Sequence, residues 1–340
     1  MLADILDGKC FKLVCGAGNE DAAEVEKLVA LYSAAGCRFF DLSAKPAIVD
    51  AAKRALSGKE AYLCVSVGIK GDPHVNKARI DYEKCVGCGK CSEICPQGAI
   101  KYHKVKSIRR LVARNKRVYG SARLAVRQVN ASLCPLLAIR CIGCGKCEKV
   151  CSKDAISYVP QEVDLKEILP PLIARGIDCI ELHAMNDNDN EIAEKWSYIN
   201  EIFDGMLSVC TARGKLSDEK MVLRIKEMTA GRAPYTTIIQ ADGFPMSGSQ
   251  DDYKTTLQAV ATAELVQNEN IPVYIMLSGG TNSKTAELAK LCGINYHGIA
   301  VGTFARKIVK KYIEREDFLT NERIFNEALE IAKKLVNSVV

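Results

Sequence analysis

Val273-Tyr274-Ile275-Met276-Leu277-Ser278-Gly279-Gly280-Thr281 runs apolar for five residues and then breaks at paired glycines flanked by hydroxyls. A short run rich in β-formers that stops at glycine reads as a strand entering a turn. The pattern recurs in Gly298-Ile299-Ala300-Val301-Gly302-Thr303-Phe304. Working outward, similar runs stand at Phe11–Cys15, Cys37–Leu42, Ala61–Val67, Ile177–Leu182, Met206–Cys210 and Thr236–Gln240. Amphipathic stretches with helical spacing lie between them, including Ala22–Ala35, Pro46–Leu56, Asp252–Gln267 and Ser283–Leu291. Ser217-Asp218-Glu219-Lys220 has helix-start chemistry. Strands that alternate with helices in this way predict an α/β fold, a (β/α)8 TIM-type barrel. A doubly wound open sheet is the alternative.

The glycines at the last two strand ends suggest a ligand. Backbone amides and a helix N-terminus there can cradle a phosphate. Gly279, Gly280, Gly302 and Thr303 are therefore candidates for holding flavin mononucleotide (FMN) or another phosphate-bearing ligand. The competing reading is that the glycines only make tight turns. Lys12, Asp41, Ser66, His183, Arg213, Gln240 and Asp242 also fall near strand ends and would line one mouth of the barrel. The Gly/Pro-rich stretch Gln240–Ser249 is longer than a minimal turn and reads as a functional loop.

The strongest chemical signal interrupts this frame after the third strand. Cys85-Val86-Gly87-Cys88-Gly89-Lys90-Cys91-Ser92-Glu93-Ile94-Cys95-Pro96 has the spacing C-x2-C-x2-C-x3-C-P. Cys141-Ile142-Gly143-Cys144-Gly145-Lys146-Cys147-Glu148-Lys149-Val150-Cys151-Ser152 repeats it without the proline. Gly98-Ala99-Ile100-Lys101-Tyr102 is echoed by Asp154-Ala155-Ile156-Ser157-Tyr158, so the repeat extends beyond the cysteines. Thiolates suit iron, and glycines let so tight a loop turn its amides toward cluster sulfurs. Structural zinc favours two C-x-x-C pairs set further apart. Two [4Fe–4S] clusters are thus expected. In such pairs the fourth cysteine of each motif crosses to the other cluster. Cys85, Cys88, Cys91 and Cys151 form one ligand set, and Cys141, Cys144, Cys147 and Cys95 the other. Cys134, just before the second motif, could serve as an extra ligand, but it reads first as a buried thiol.

The expected organisation is residues 1–76 as the first part of the barrel, 77–160 as a two-cluster ferredoxin-like insertion, and 161–340 as the remainder. Loops after barrel strands line the ligand face, so the insertion is expected to sit over any bound molecule.

Bulk properties narrow the class. The chain has 340 residues, 48% of them apolar and 26% charged. No apolar run reaches the length of a membrane span, and Met1-Leu2-Ala3-Asp4 lacks a secretory signal pattern. Its 16 cysteines therefore read as metal ligands or buried thiols in a reducing cytoplasm rather than as a disulfide framework. The net charge is +6, yet Lys101 to Arg127 holds ten basic and no acidic residues. The remainder of the chain is consequently acidic. The basic segment 101–127 can be a solvated face offsetting the negative cluster thiolates. It can also be a contact for a redox partner or for nucleic acid phosphates.

The chain resembles the light-dependent period (LdpA) proteins of cyanobacteria. The likeness lies in Gly8–Ala17 with Asp41–Pro46, in the ferredoxin unit, and in Gln240-Ala241-Asp242-Gly243 with Pro245–Gly248 and Ser278–Thr281. That resemblance implies an iron–sulfur protein that reports redox state to a signalling system. Two functions follow for test. One is a redox protein whose clusters exchange single electrons with a partner or with a ligand in the barrel, as an iron–sulfur oxidoreductase would. The other is a regulatory or scaffold protein without turnover.

Overall fold

Strand alternation organises the larger part of the molecule. The computed structural model describes residues 2–16, 18–70, 76–103, 122–160, 164–213, 216–243 and 250–339. Its first elements are α1 (Leu2–Asp7), β1 (Cys10–Val14), α2 (Ala22–Ala34), β2 (Phe39–Ser43), α3 (Pro46–Leu56) and β3 (Tyr62–Val67). Then follow β4 (Asn76–Ile80), α4 (Lys90–Ile94), α5 (Ala122–Leu133), α6 (Lys146–Lys149) and β5 (Ile156–Pro160). The chain continues with α7 (Leu165–Ile173), β6 (Cys179–His183), α8 (Asp189–Ile202), β7 (Met206–Ala212), α9 (Asp218–Thr229) and β8 (Thr237–Asp242). It ends with α10 (Tyr253–Asn268), β9 (Tyr274–Ser278), α11 (Thr285–Leu291), β10 (Gly298–Val301), α12 (Thr303–Ile313) and α13 (Glu322–Asn337).

Eight strands close into a parallel barrel in the order β1-β10-β9-β8-β7-β6-β3-β2. The expected (β/α)8 architecture is therefore present, with the ferredoxin-type region following the third barrel strand. Every expected strand falls within a few residues of the observed one. Asp21, Asn188, Ser217 and Asp252 each cap a helix by accepting from a first-turn amide.

Side chains two apart share a face of a strand. One face carries Leu13, Leu42, Val65, Leu182, Val209, Ile239, Leu277 and Val301. These pack with helix residues such as Val25, Ile48, Leu169, Trp196, Ile225 and Val260 in the main core. The other face points into the barrel and changes character along its length. At the N-terminal end it is apolar: Cys10, Phe39, Cys64, Cys179, Ile238, Met276 and Ala300 cluster with Leu2 and Leu6 of α1, which closes that end. Toward the C-terminal end it is polar, with Lys12, Asp41, Ser66, Glu181, His183, Ser208, Gln240, Asp242 and Ser278 all buried. That switch positions the barrel's candidate site.

Residues Met1–Asp72 with Val163–Val340 form one compact unit and Pro73–Glu162 a second. In the second unit β4 and β5 pair antiparallel, with Ile80 opposite Ile156. Ala78, Ile80, Ala99, Ile100, Val129, Leu133 and Ile156 make its core, joined by Cys134, Cys141 and Cys147. No helix among the described residues is long and apolar enough to cross a membrane.

Candidate functional site

The cysteine loops are shaped by glycine. Gly87, Gly89, Gly143 and Gly145 all hold positive φ, the left-handed region that an L side chain avoids. Gly89 and Gly145 then start α4 and α6, which carry Cys91 and Cys147. The two halves repeat in their hydrogen bonds. The amides of Ala99 and Ala155 donate to Cys95 Sγ and Cys151 Sγ, each at 3.3 Å. Gly87 N–H donates to Cys85 Sγ at 3.4 Å, and Ala78 N–H to Cys141 Sγ at 3.3 Å. Amides aimed at sulfur stabilise negative charge there, as a thiolate-bound cluster needs.

Cys95 from the first motif and Cys141, Cys144 and Cys147 from the second line one small cavity of about 20 Å³ that opens to solvent. Pro96, Ala99, Ile100 and Tyr158 contribute its apolar wall. Tyr158 OH lies 3.1 Å from Cys147 Sγ and accepts from Gly145 N–H at 3.2 Å. Burial pushes the Cys144 and Cys147 thiols up, and the charge of neighbouring cysteines, Cys95 included, adds to this. In the other group, burial and then Cys85 and Cys88 raise the Cys91 thiol to about 11. Cys134 is buried, as the sequence suggests, and its thiol hydrogen-bonds Cys85, bringing that thiol down to about 6. Asn130 donates from its amide to Cys85 O and to Tyr82 O, which ties α5 to the first loop.

Inside the barrel the polar residues form one network. Lys12 on β1 has no solvent exposure. Its ammonium lies 2.7 Å from Glu181 Oε2 and 3.2 Å from Asp41 Oδ2. Ser66 donates to Asp41 at 2.6 Å, and Ser208 to Glu181 Oε2 at 3.1 Å. His183 Nε2 is 3.4 Å from Glu181 Oε1. Cys210 Sγ lies 2.5 Å from Asp242 Oδ2. Burial works against charge on Lys12, yet Asp41, Cys64 and Glu181 outweigh it and hold the ammonium well above its ordinary range. Burial also pushes Glu181 up, but Lys12 and His183 bring it below the usual carboxylate range. Burial dominates at Asp41, which is raised, and at Asp242, which reaches about 7.

Of the polar strand-end residues read from sequence, Lys12, Asp41, Ser66, His183, Gln240 and Asp242 therefore share the barrel interior. Arg213 does not join them. It forms a two-pronged pair with Asp218, at 2.9 and 2.8 Å, at the start of α9. Glu181, Ser208 and Cys210 escaped the sequence reading, although alternation in Cys179-Ile180-Glu181-Leu182-His183 places Glu181 on the same face as His183. Residues 244–249 of the long loop lie outside the described residues, as do residues 104–121 of the basic segment.

The strand-end glycines meet backbone. Gly279 and Gly280 have φ of +67° and +82°. A Cβ on Gly280 would lie 2.2 Å from Thr255 O, and one on Gly279 would lie 2.7 Å from Gly243. These two glycines serve a close chain approach in the first instance. Gly302 differs: its φ is −111°. A Cβ there would meet Val14 at 3.3 Å and the Arg306 guanidinium at 3.6 Å. Arg306 is buried on α12 and donates to Val14 O at 2.6 Å. Thr303 opens that helix.

The Lys12 network yields a stability test. Lys12→Ala leaves Asp41 and Glu181 buried without their cation, and removing one partner of such a pair costs about 3–5 kcal/mol. Urea unfolding should show a loss of that size. A loss under about 1 kcal/mol would mean the carboxylates are compensated elsewhere.

Comparison with known proteins finds two matching regions. Residues 172–338 match the light dependent period A C-terminal domain, and residues 84–156 match a 4Fe-4S dicluster domain. The light dependent period A protein of Synechococcus elongatus is 27% identical over 326 residues, covering 90% of this chain and 83% of that protein. Ferredoxin-3 of Rhodobacter capsulatus is 29% identical over 80 residues, 24% of this chain and 77% of that one. Among solved structures, the (S)-3-O-geranylgeranylglyceryl phosphate synthase of Thermoplasma acidophilum aligns over 99% of this chain and 96% of its own. Its TM-score is 0.39 and its sequence identity 12%. The resemblance to light dependent period A thus holds along most of the chain, an iron–sulfur protein whose residues 172–338 match the C-terminal domain of that family.

Proposed function

We propose that the protein binds two [4Fe–4S] clusters and uses them to relay or sense single electrons. Cys85, Cys88, Cys91 and Cys151 hold one cluster, and Cys141, Cys144, Cys147 and Cys95 the other. The observation that carries this reading is the cavity lined by Cys95 together with Cys141, Cys144 and Cys147. Crossed ligation needs a sulfur of the first motif beside three of the second. The repeated amide-to-sulfur bonds at Cys95 and Cys151 support it, and a reducing compartment suits a chain with 16 cysteines. Anaerobically prepared protein should contain about eight iron and eight sulfide per chain. Cys95→Ala should remove about half of the iron and spare the cluster on Cys85, Cys88 and Cys91. Zinc in place of iron, or loss of the first cluster instead, would overturn the assignment.

The same proposal includes an acidic redox protein as partner, met by the basic segment 101–127. Changing Arg109, Arg110, Arg114 and Arg117 to Glu should slow association and flatten its dependence on salt, with cluster content unchanged. Retained association would leave the segment a solvated face. Binding of nucleic acid that weakens steeply with salt would assign it to phosphates instead.

A second reading, of the barrel as a ligand-binding module, is favoured by the buried Arg306 beside Gly302 and Thr303. A guanidinium, backbone amides and the N-terminus of α12 suit a phosphate-bearing ligand, FMN first among them. Gly280→Val is a poor probe, because its side chain would strike Thr255 O whatever the ligand. Gly302→Ala is the informative change. The native chain should bind FMN or inorganic phosphate, and Gly302→Ala should weaken that binding. Absence of binding by the native chain would favour a regulatory or scaffold protein without turnover.

A further inference from the structure

The polar end of the barrel interior carries more buried acid than base. Asp41, Glu181 and Asp242 are all buried, against one lysine, Lys12. Buried carboxyl groups need a cation, a proton or a metal beside them. Two features point to a metal. The first is the donor set: single ligand atoms of Glu181, His183 and Cys210 lie within 4.8 Å of one another, all three residues buried. The second is Gln240, whose buried Oε1 has no hydrogen-bond partner. Gln240 is the register neighbour of Cys210 and lies two residues before Asp242, on the same inward face of β8.

We propose that Glu181, His183 and Cys210, with Asp242 beside them, form a mononuclear zinc site inside the barrel, separate from the iron–sulfur cysteines. Imidazole nitrogen, thiolate sulfur and carboxylate oxygen are the donors zinc takes. Metal–ligand bonds of about 2.0–2.3 Å in a tetrahedron set ligand atoms about 3.3–3.8 Å apart. The 3.4 Å between His183 Nε2 and Glu181 Oε1 fits that edge. The short contact of Cys210 Sγ with Asp242 Oδ2 places a carboxylate where it can take the thiol proton or complete the set. Glu181 is already divided between two tasks. Lys12 and Ser208 hold its Oε2, which orients the carboxylate and turns Oε1 toward His183, with Ser66 Oγ 3.4 Å from the same oxygen. Supporting bonds of this kind fix ligands around a metal. Lys12 is then a positioning residue for Glu181.

The zinc assignment does not rest on the redox reading, and its test keeps the two apart. The full chain, with its clusters reconstituted, is equilibrated anaerobically with Zn2+ under a competing chelator, and zinc and iron are measured together. The expected result is about one zinc per chain beyond the iron. Cys210→Ser and His183→Gln should each weaken zinc binding by about tenfold or more while leaving iron unchanged. Cys37→Ser, a buried thiol of the main core outside the barrel interior, should bind zinc as the native chain does. Asp242→Asn, which keeps the side-chain shape, gives a milder variant and should also weaken zinc if the others unfold. No zinc beyond iron, or zinc retained in both Cys210→Ser and His183→Gln, would overturn the proposal.

Discussion

A lysine ammonium with no access to water sets the terms for the barrel. Lys12 sits on β1 and Glu181 on β6, 2.7 Å apart across the interior. That pair forms only if the strands close in the observed order and register, because a slip of one residue would turn each side chain to the helix layer. The apolar end below it, sealed by Leu2 and Leu6, keeps water out from one side. A buried ion pair is weak evidence for stability, since the desolvation of both groups offsets much of their attraction. Around it stand Asp41, His183, Cys210 and Asp242, all of them buried.

The second unit meets a different constraint. A cluster needs several sulfurs at one point, and a chain reaches that geometry only by turning tightly. Positive φ at Gly87, Gly89, Gly143 and Gly145 achieves the turns, and the amides so exposed serve the sulfurs. Tyr158 OH lies against Cys147 Sγ, whereas the ring of Tyr102, its echo in the first motif, lies where a Cβ on Gly89 would go. Hydrogen bonds to sulfur tune reduction potential, so this difference sets the two repeated motifs apart.

Much of this was legible in the sequence because the signals are local. Runs such as Tyr62–Val67 end at glycine or polar residues, and the motif spacing is self-contained within Cys85–Cys95. What stayed hidden depends on contacts far apart in the chain. Glu181 lies 169 residues from Lys12, and nothing near either residue names its partner. Cys210 looked like one more apolar strand residue until closure brought it beside Asp242. Gly280 read as a phosphate loop, whereas its nearest constraint is the Thr255 carbonyl on α10, which no spacing rule reveals. Arg213 had the right position at a strand end, but the nearby Asp218 carboxylate claims it.

Both halves of the account turn on metal bound by cysteine, and the central claim is the number of clusters. Electron paramagnetic resonance of the fully reduced, anaerobic protein tests it most directly. Two [4Fe–4S] clusters predict a signal integrating to about two spins per chain and broadened by coupling between neighbouring centres. A sharp, uncoupled signal of about one spin per chain, on protein with its full iron content, would contradict it.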